Sequence, residues 1–252
     1  MTYSILGRCP ESGAFGAAIA TSNLAVGARC VRLAHGVGGF LSQHRTDPRL
    51  GDVGLEALRG GTDAAGAVAA AVAAGGQAIG WRQLGALDAA GRAAARHGDR
   101  LYSIFAHAEV ENALALGNIL DDPDVPAAMA EAFAARAGGL AERLMRALEA
   151  GRDAGGEVGG PVRSAALRVT GPDGLDERDL RVDMADEAVE ALRALFEAHA
   201  PEAVSQRALA LAPEAHPVNR ALFEGSLRRI AALGLDDRFP TAAHADRWRV
   251  GP

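Results

Sequence analysis

The chain is poor in the residues that most readily betray a function. Aromatic side chains make up 4% of its 252 residues, and there are only two cysteines. With so few rings there is no aromatic groove for stacking a polymer. Positive charge is also in deficit: 26 basic against 32 acidic side chains leave a net charge of −6. Nucleic acid is therefore excluded as the main partner, because neutralising phosphates needs a clustered positive surface. No apolar run approaches the roughly 18–20 residues that span a bilayer. The longest candidate, residues 63–74, is short and alanine-rich, so no membrane partner is expected. The start has no basic segment followed by an apolar one, and no secretory signal is read there. Cys9 and Cys30 form no CxxC or other metal-ligand pattern, which suits two reduced thiols in a cytoplasmic protein.

Other signatures are missing too. Gly13–Gly16 and the several Gly-Gly pairs lack the Lys-Ser/Thr ending of a phosphate loop. No internal repeat or heptad is present. His107, Glu109 and Glu111 alternate along an extended segment, but their spacing matches no metal site, and a solvated edge strand is the expected reading. No metal or cofactor is expected.

Small apolar residues are what the chain has instead. Half of it is hydrophobic, and glycine alone counts 31. The first 45 residues read as strands: 2–7, then a Pro-Glu-Ser-Gly turn, then the continuous apolar run 14–22, then 36–44. Helices are expected over 50–59, stopping at Gly60-Gly61, and over an alanine-rich stretch opened by Thr62-Asp63 and closed at Gly75-Gly76. Strands follow at 79–87, 92–97 and 113–120, then helices at 122–137 and 140–152, strands at 163–170 and 178–183, and a helix at 186–199. Pairs of helices between antiparallel hairpins predict an α/β (α+β) fold, a four-layer αββα sandwich over residues 1–200. Residues 201–252 differ. They are punctuated by proline, with helical stretches at 201–211 and 216–233, and read as a C-terminal helical extension used in assembly, so a homo-oligomer is expected.

The second residue carries chemistry. Thr2 opens the first strand directly behind Met1. Removal of Met1 would leave the Thr2 hydroxyl beside its own α-amine. An α-amino group has a pKa of about 7.7–8.0 and is partly neutral near pH 7, so it can take the hydroxyl proton, as in threonine nucleophiles activated by their own amine. An ordinary first strand is the alternative reading of these residues.

Seven strings in order then resemble one family: Thr2–Ile5, Ser22–Gly27, Ser42-Gln43, Gly117–Leu120, Ala154–Gly156, Ser164–Leu167 and Asp179–Asp183. Over residues 2–200 the chain resembles the DUF1028 family, which is placed among the N-terminal-nucleophile (Ntn) hydrolases. The resemblance implies an Ntn-type sandwich and an amidohydrolase cleaving a C–N bond (amide, ureido or cyclic amide) of a small metabolite. Thr2, Asn118, Ser22 and Gln43 would form the catalytic set, with Asn118 and Gln43 as candidate oxyanion donors. Ser4, Asn23, His44, Glu157, Arg163 and Ser164 would contact the substrate. Asn118 also reads as a turn amide, His44 as a turn histidine and Arg163 as a solvated strand-end arginine; in the functional reading Arg163 would grip a substrate carboxylate. The chain departs from the family pattern at Cys9, Asp47, Glu157 and Arg163, where aspartate, asparagine, aspartate and glutamine are usual. Two further readings stand beside the amidohydrolase: a non-enzymatic binding or assembly protein on the same fold, and a proteasome-like threonine peptidase.

Overall fold

A computed structural model describes residues 1–135 and 138–251. They fall into two compact units, Met1–Ala200 and Pro201–Pro252. The first is a mixed α/β structure with two antiparallel sheets. Its larger sheet contains β1 (Thr2–Arg8), β2 (Phe15–Thr21), β7 (Ile104–Val110), β8 (Ala113–Leu120), β9 (Ser164–Val169) and β10 (Arg178–Val182), in the spatial order β10-β9-β2-β1-β8-β7. The smaller runs β3 (Val31–Ala34), β4 (Gly38–Gln43), β5 (Gln83–Asp88) and β6 (Ala93–His97) in sequence order.

Strand side chains alternate between two faces, and here both faces of the central strands are buried. Along β1, Tyr3 and Ile5 enter a cluster with α3 (Val125–Ala134) and α4 (Leu140–Asp153). Leu6 enters a second cluster with Phe15 and Ile19 of β2, Leu114 and Leu116 of β8, and Leu33, Leu41 and Leu87 of the smaller sheet. That second cluster is where the two sheets meet. A third gathers Phe40, Leu84 and Ala86 under α1 (Pro48–Arg59) and α2 (Ala64–Ala74). The lack of strict polar–apolar alternation along β1, β2 and β8 follows from this two-sided burial. The helix starts are set by carboxylates: Asp47 accepts from the Arg49 N–H at 3.2 Å and Asp63 from the Gly66 N–H at 2.8 Å.

The structure differs from the sequence expectation at several ends. β3 was not expected. It is four residues long, and only Val31 and Leu33 of it face the inter-sheet core. Residues 76–81 form a 3-10 turn rather than the start of a strand, so β5 begins at Gln83. α3 starts at Val125, with a proline in its first turn; the far end of the expected helix, 136–137, lies outside the described residues. The interruption expected between helices ending at 199 and starting at 201 is absent, since α5 runs Ala188–Leu211 with Pro201 inside it, although proline donates no N–H there.

In the second unit α6 (Arg220–Ala232) begins three residues after Pro217, capped by the Asn219 carboxamide, which accepts from the Leu222 N–H at 3.0 Å. None of its residues is buried, and Leu222 is 73% exposed. The chain end returns beside Val218, whose N–H donates to the Arg249 carbonyl at 2.8 Å. Among the described residues no helix is long and apolar enough to cross a membrane.

Close packing of α1 on β4 depends on Gly54, where an added Cβ would stand 2.2 Å from the Phe40 ring. Gly54→Ala is expected to cost about 1–3 kcal/mol through overpacking, against the small gain in helix propensity, read as a lowered urea midpoint.

Candidate active site

The start of β1 lies at one end of the gap between the sheets. Thr2 pairs with Asn118 of β8 in register. Parity places Thr2, Ser4, Thr21 and Asn118 on the inward face that also carries Leu6, Ile19 and Leu116. Thr2 is 6% exposed. The carbonyl between Met1 and Thr2 accepts hydrogen bonds from the Thr21 hydroxyl at 2.5 Å and from the Thr2 hydroxyl, and the two threonine oxygens are 3.5 Å apart. A cleft of about 490 Å³ opens over Thr2, walled by Asn23, Arg29, Cys30, His44 and Arg45.

A backbone irregularity brings a carboxylate to this place. Between β7 and β8, Phe105 pairs with Asn118 and Ile104 with Leu120, so Ile119 is the extra residue of a bulge. Its φ is +55°, a region costly for a β-branched residue. Beyond the bulge β8 pairs with the glycine-rich loop: the Ile119 carbonyl accepts from Val158 N–H at 3.1 Å, and Leu120 bridges Glu157. Glu157 is only 3% exposed, and its Oε2 accepts from the Ser22 N–H at 3.0 Å. Burial pushes the Glu157 carboxyl up, partly opposed by the nearby N-terminal charge. Burial likewise lowers the Met1 amine, partly opposed by Glu157. Oε1 of Glu157 has no hydrogen-bond partner among the described residues.

Behind Thr2 a chain of polar side chains crosses between the sheets. Ser4 Oγ donates to Gln43 Oε1 at 2.8 Å, and Gln43 Nε2 to Gln83 Oε1 at 2.6 Å. Asn118 Nδ2 donates to the same oxygen at 2.8 Å. Gln83 Nε2 donates to the Gly117 carbonyl at 2.7 Å and reaches His97 Nδ1 at 2.9 Å, with a longer approach of 3.5 Å to Ala106. Because the Gly117 carbonyl and the Asn118 amide fix which end of Gln83 is nitrogen, His97 Nδ1 must accept. His97 therefore carries its proton on Nε2 and gives it to His107 Nδ1, 2.9 Å away. Burial, and next the neighbouring His107, depress the His97 pKa to about 4.

The remaining expected residues take other positions. The Ser164 hydroxyl donates to the Asn23 carbonyl at 2.6 Å and accepts from Val26 N–H at 3.1 Å, pinning the loop that walls the cleft. The Ser22 hydroxyl points to the Met1 thioether. His44 Nδ1 donates to the Trp81 carbonyl at 2.7 Å; burial lowers its pKa, so Nε2 is free of a proton near neutrality. Arg163 is exposed and is not among the cleft residues; its backbone is engaged with Thr21 and Ala185. His107 and Glu109 lie on the edge strand β7. Among the described residues no three His, Cys, Asp or Glu side chains gather to hold a metal. Sequence reasoning missed Gln83, His97, Thr21, Arg29 and Arg45. A signal existed for Gln83, a carboxamide inside an apolar strand run, but its partners lie far away in sequence.

This combination, two apposed antiparallel sheets with a polar cleft at the start of a central strand, defines the class of fold and site. The chain belongs to DUF1028, described as a family of unknown function, whose profile matches residues 2–192. It is similar to the crystal structure of protein SPO2555 from Silicibacter pomeroyi, assigned to the same family: 34% identity and a TM-score of 0.72, over 79% of this chain and 88% of that one. No curated protein matches.

Two outcomes are expected. Gln83→Met keeps the volume but strands the Gly117 carbonyl and the Asn118 and Gln43 amides, and should cost about 3 kcal/mol by chemical denaturation. The unfolded chain protonates His97 near 6.5, whereas the native state resists to about pH 4. The unfolded state therefore binds the extra proton between those values, and stability falls as pH drops from about 6.5 to about 4. In His97→Asn, whose carboxamide oxygen can replace Nδ1 as acceptor, that part of the decline should vanish from denaturation curves recorded across this range.

Proposed function

We propose that the protein is an Ntn-type amidohydrolase, built as a four-layer αββα sandwich, in which Thr2 is the nucleophile once Met1 is removed. Three observations support the sandwich: two sheets share the cluster around Leu6 and Leu41, and each has a helix pair on its other face. The observation that carries the catalytic reading is the setting of the Met1–Thr2 peptide. Its Thr2 is buried at the cleft floor, its carbonyl is gripped by Thr21, and its amine end lies beside Glu157.

The chemistry follows from these groups. Thr2 Oγ1 attacks the carbonyl carbon of an amide while its proton passes to the Thr2 α-amine. Burial favours the neutral, basic form of an amine in this place, as it does for the amine of Met1. The C–N bond then breaks, and the amine returns the proton to the leaving nitrogen. Water attacks the ester, its proton goes to the same amine, and an acid is released as Thr2 is restored. Glu157 balances the charge of the protonated amine. Asn118 stands directly across from Thr2. Its second amide N–H and its Oδ1 have no partner among the described residues, which leaves capacity to hold an oxyanion or orient the amine. The cleft volume suits a small molecule rather than a polymer.

The test is intact mass of the natively expressed protein before and after a β-lactone electrophile. Loss of Met1 and a single adduct are expected, retained in Thr2→Ser and absent in Thr2→Ala. The acylation rate should rise with pH and level off below the ordinary amine range of about 7.7–8.0. Retained Met1 with no adduct would instead favour a binding module on the same fold.

A further inference from the structure

The net charge of the chain is −6, yet the cleft over Thr2 has the opposite character. The guanidinium-bearing residues Arg29 and Arg45 line it, and among the described residues no acidic side chain does. Glu157, the nearest carboxylate, is turned to Ser22 and the amine end of the site. Asp47, close by in sequence, is engaged by Arg49 through both carboxylate oxygens, at 2.9 and 2.8 Å. Neither Arg29 nor Arg45 has an acidic partner among the described residues, whereas Arg32, Arg168, Arg181 and Arg193 are all paired with carboxylates.

Both arginines are held in place without using up their charge. Nη1 of Arg29 donates to the carbonyls of Leu24 and Ala25, and the left-handed φ of +55° at Ala25 helps aim that loop. Arg45 lies 4.3 Å above the Trp81 ring. It gets there through two consecutive left-handed residues, His44 at φ +55° and Arg45 at +49°. Such a pair of non-glycine residues is strained. The His44–Trp81 hydrogen bond and the stacking of Arg45 hold it. Strain maintained by contacts that aim a charge over a cleft indicates a site organised in advance for an anion. All 26 lysine-or-arginine positions of the chain are arginines, so its permanently charged cationic side chain is the planar fork suited to carboxylates.

We propose that the substrate of the Thr2 site carries a carboxylate, bound by Arg29 and Arg45, with its scissile C–N bond lying over Thr2. It would be a small monoamide or ureide of an amino acid or dicarboxylic acid. This rests on Thr2 as the nucleophile, and it moves carboxylate recognition from Arg163 to the arginines that border the cleft.

The experiment uses full-length Thr2→Ala protein, which binds without turnover, and calorimetric titration of succinamate, N-carbamoylglycine and N-acetylglycine, each against its neutral carboxamide. Each carboxylate is expected to bind at least tenfold more tightly than its neutral counterpart, and Arg45→Met or Arg29→Met to remove most of that preference. Arg45 is exposed, so its variant tests recognition even if loss of Arg29 loosens its loop. Equal binding of acid and amide, binding of neither, or a preference that survives both substitutions would overturn the proposal. The β-lactone adduct on wild-type protein is scored separately: an adduct without carboxylate preference leaves the nucleophile standing, and a preference without an adduct leaves the anion site standing.

Discussion

One carboxamide holds the two sheets in a fixed relation where their shared core stops being apolar. Gln83 reaches out from the smaller sheet, accepts from Gln43 and Asn118, and donates to Gly117 and His97. All its capacity is used, and its four partners lie on three other strands of the two sheets. Leaving such groups unpaired costs roughly 1–3 kcal/mol each, so the network permits one alignment of the sheets and rejects neighbouring ones. The side chain of Asn118, and through the strand register the place of Thr2, are set by it. The direction of donation is fixed along the whole path from Ser4 to His107, which is why His97 has to be neutral.

A second constraint acts on the backbone. Ile119 occupies a conformation that glycine would adopt more readily, and the strain is local to the residue beside Asn118. The bulge shifts the register with β7 by one residue, and just past it Leu120 bridges Glu157 of the glycine-rich loop. The site therefore combines a rigid half, the inter-sheet amides, with a half positioned by an irregular strand end.

Much of the fold was legible because its signals are local. The β1–β2 hairpin, the helix stops at paired glycines and the β9–β10 pair each follow from residues within about ten positions of one another. β3 escaped because a four-residue strand carries only two inward side chains. The site was legible in part. Thr2, Ser4, Gln43, Asn118 and Glu157 do converge around the start of β1, while Ser164 holds a loop and Arg163 faces solvent. Gln83 and His97 could not be read, since their meaning depends on pairing between strands distant in sequence. Arg45 was hidden for another reason: its direction is decided by two left-handed residues that no pattern of side chains announces.

The pairing of Thr2 with Asn118 also sets a clock. In the finished fold Thr2 is 6% exposed and the carbonyl before it is held by Thr21, so the Met1–Thr2 peptide is less open to a processing enzyme than in the nascent chain. Yet the strand that buries it is made more than a hundred residues later. At synthesis rates of roughly 5–20 residues per second, that leaves an interval on the order of ten seconds. For the proposed nucleophile, maturation is thus a race between an aminopeptidase at the exposed start of the chain and the arrival of β8. Conditions that speed folding relative to processing would raise the share of folded protein that still carries Met1.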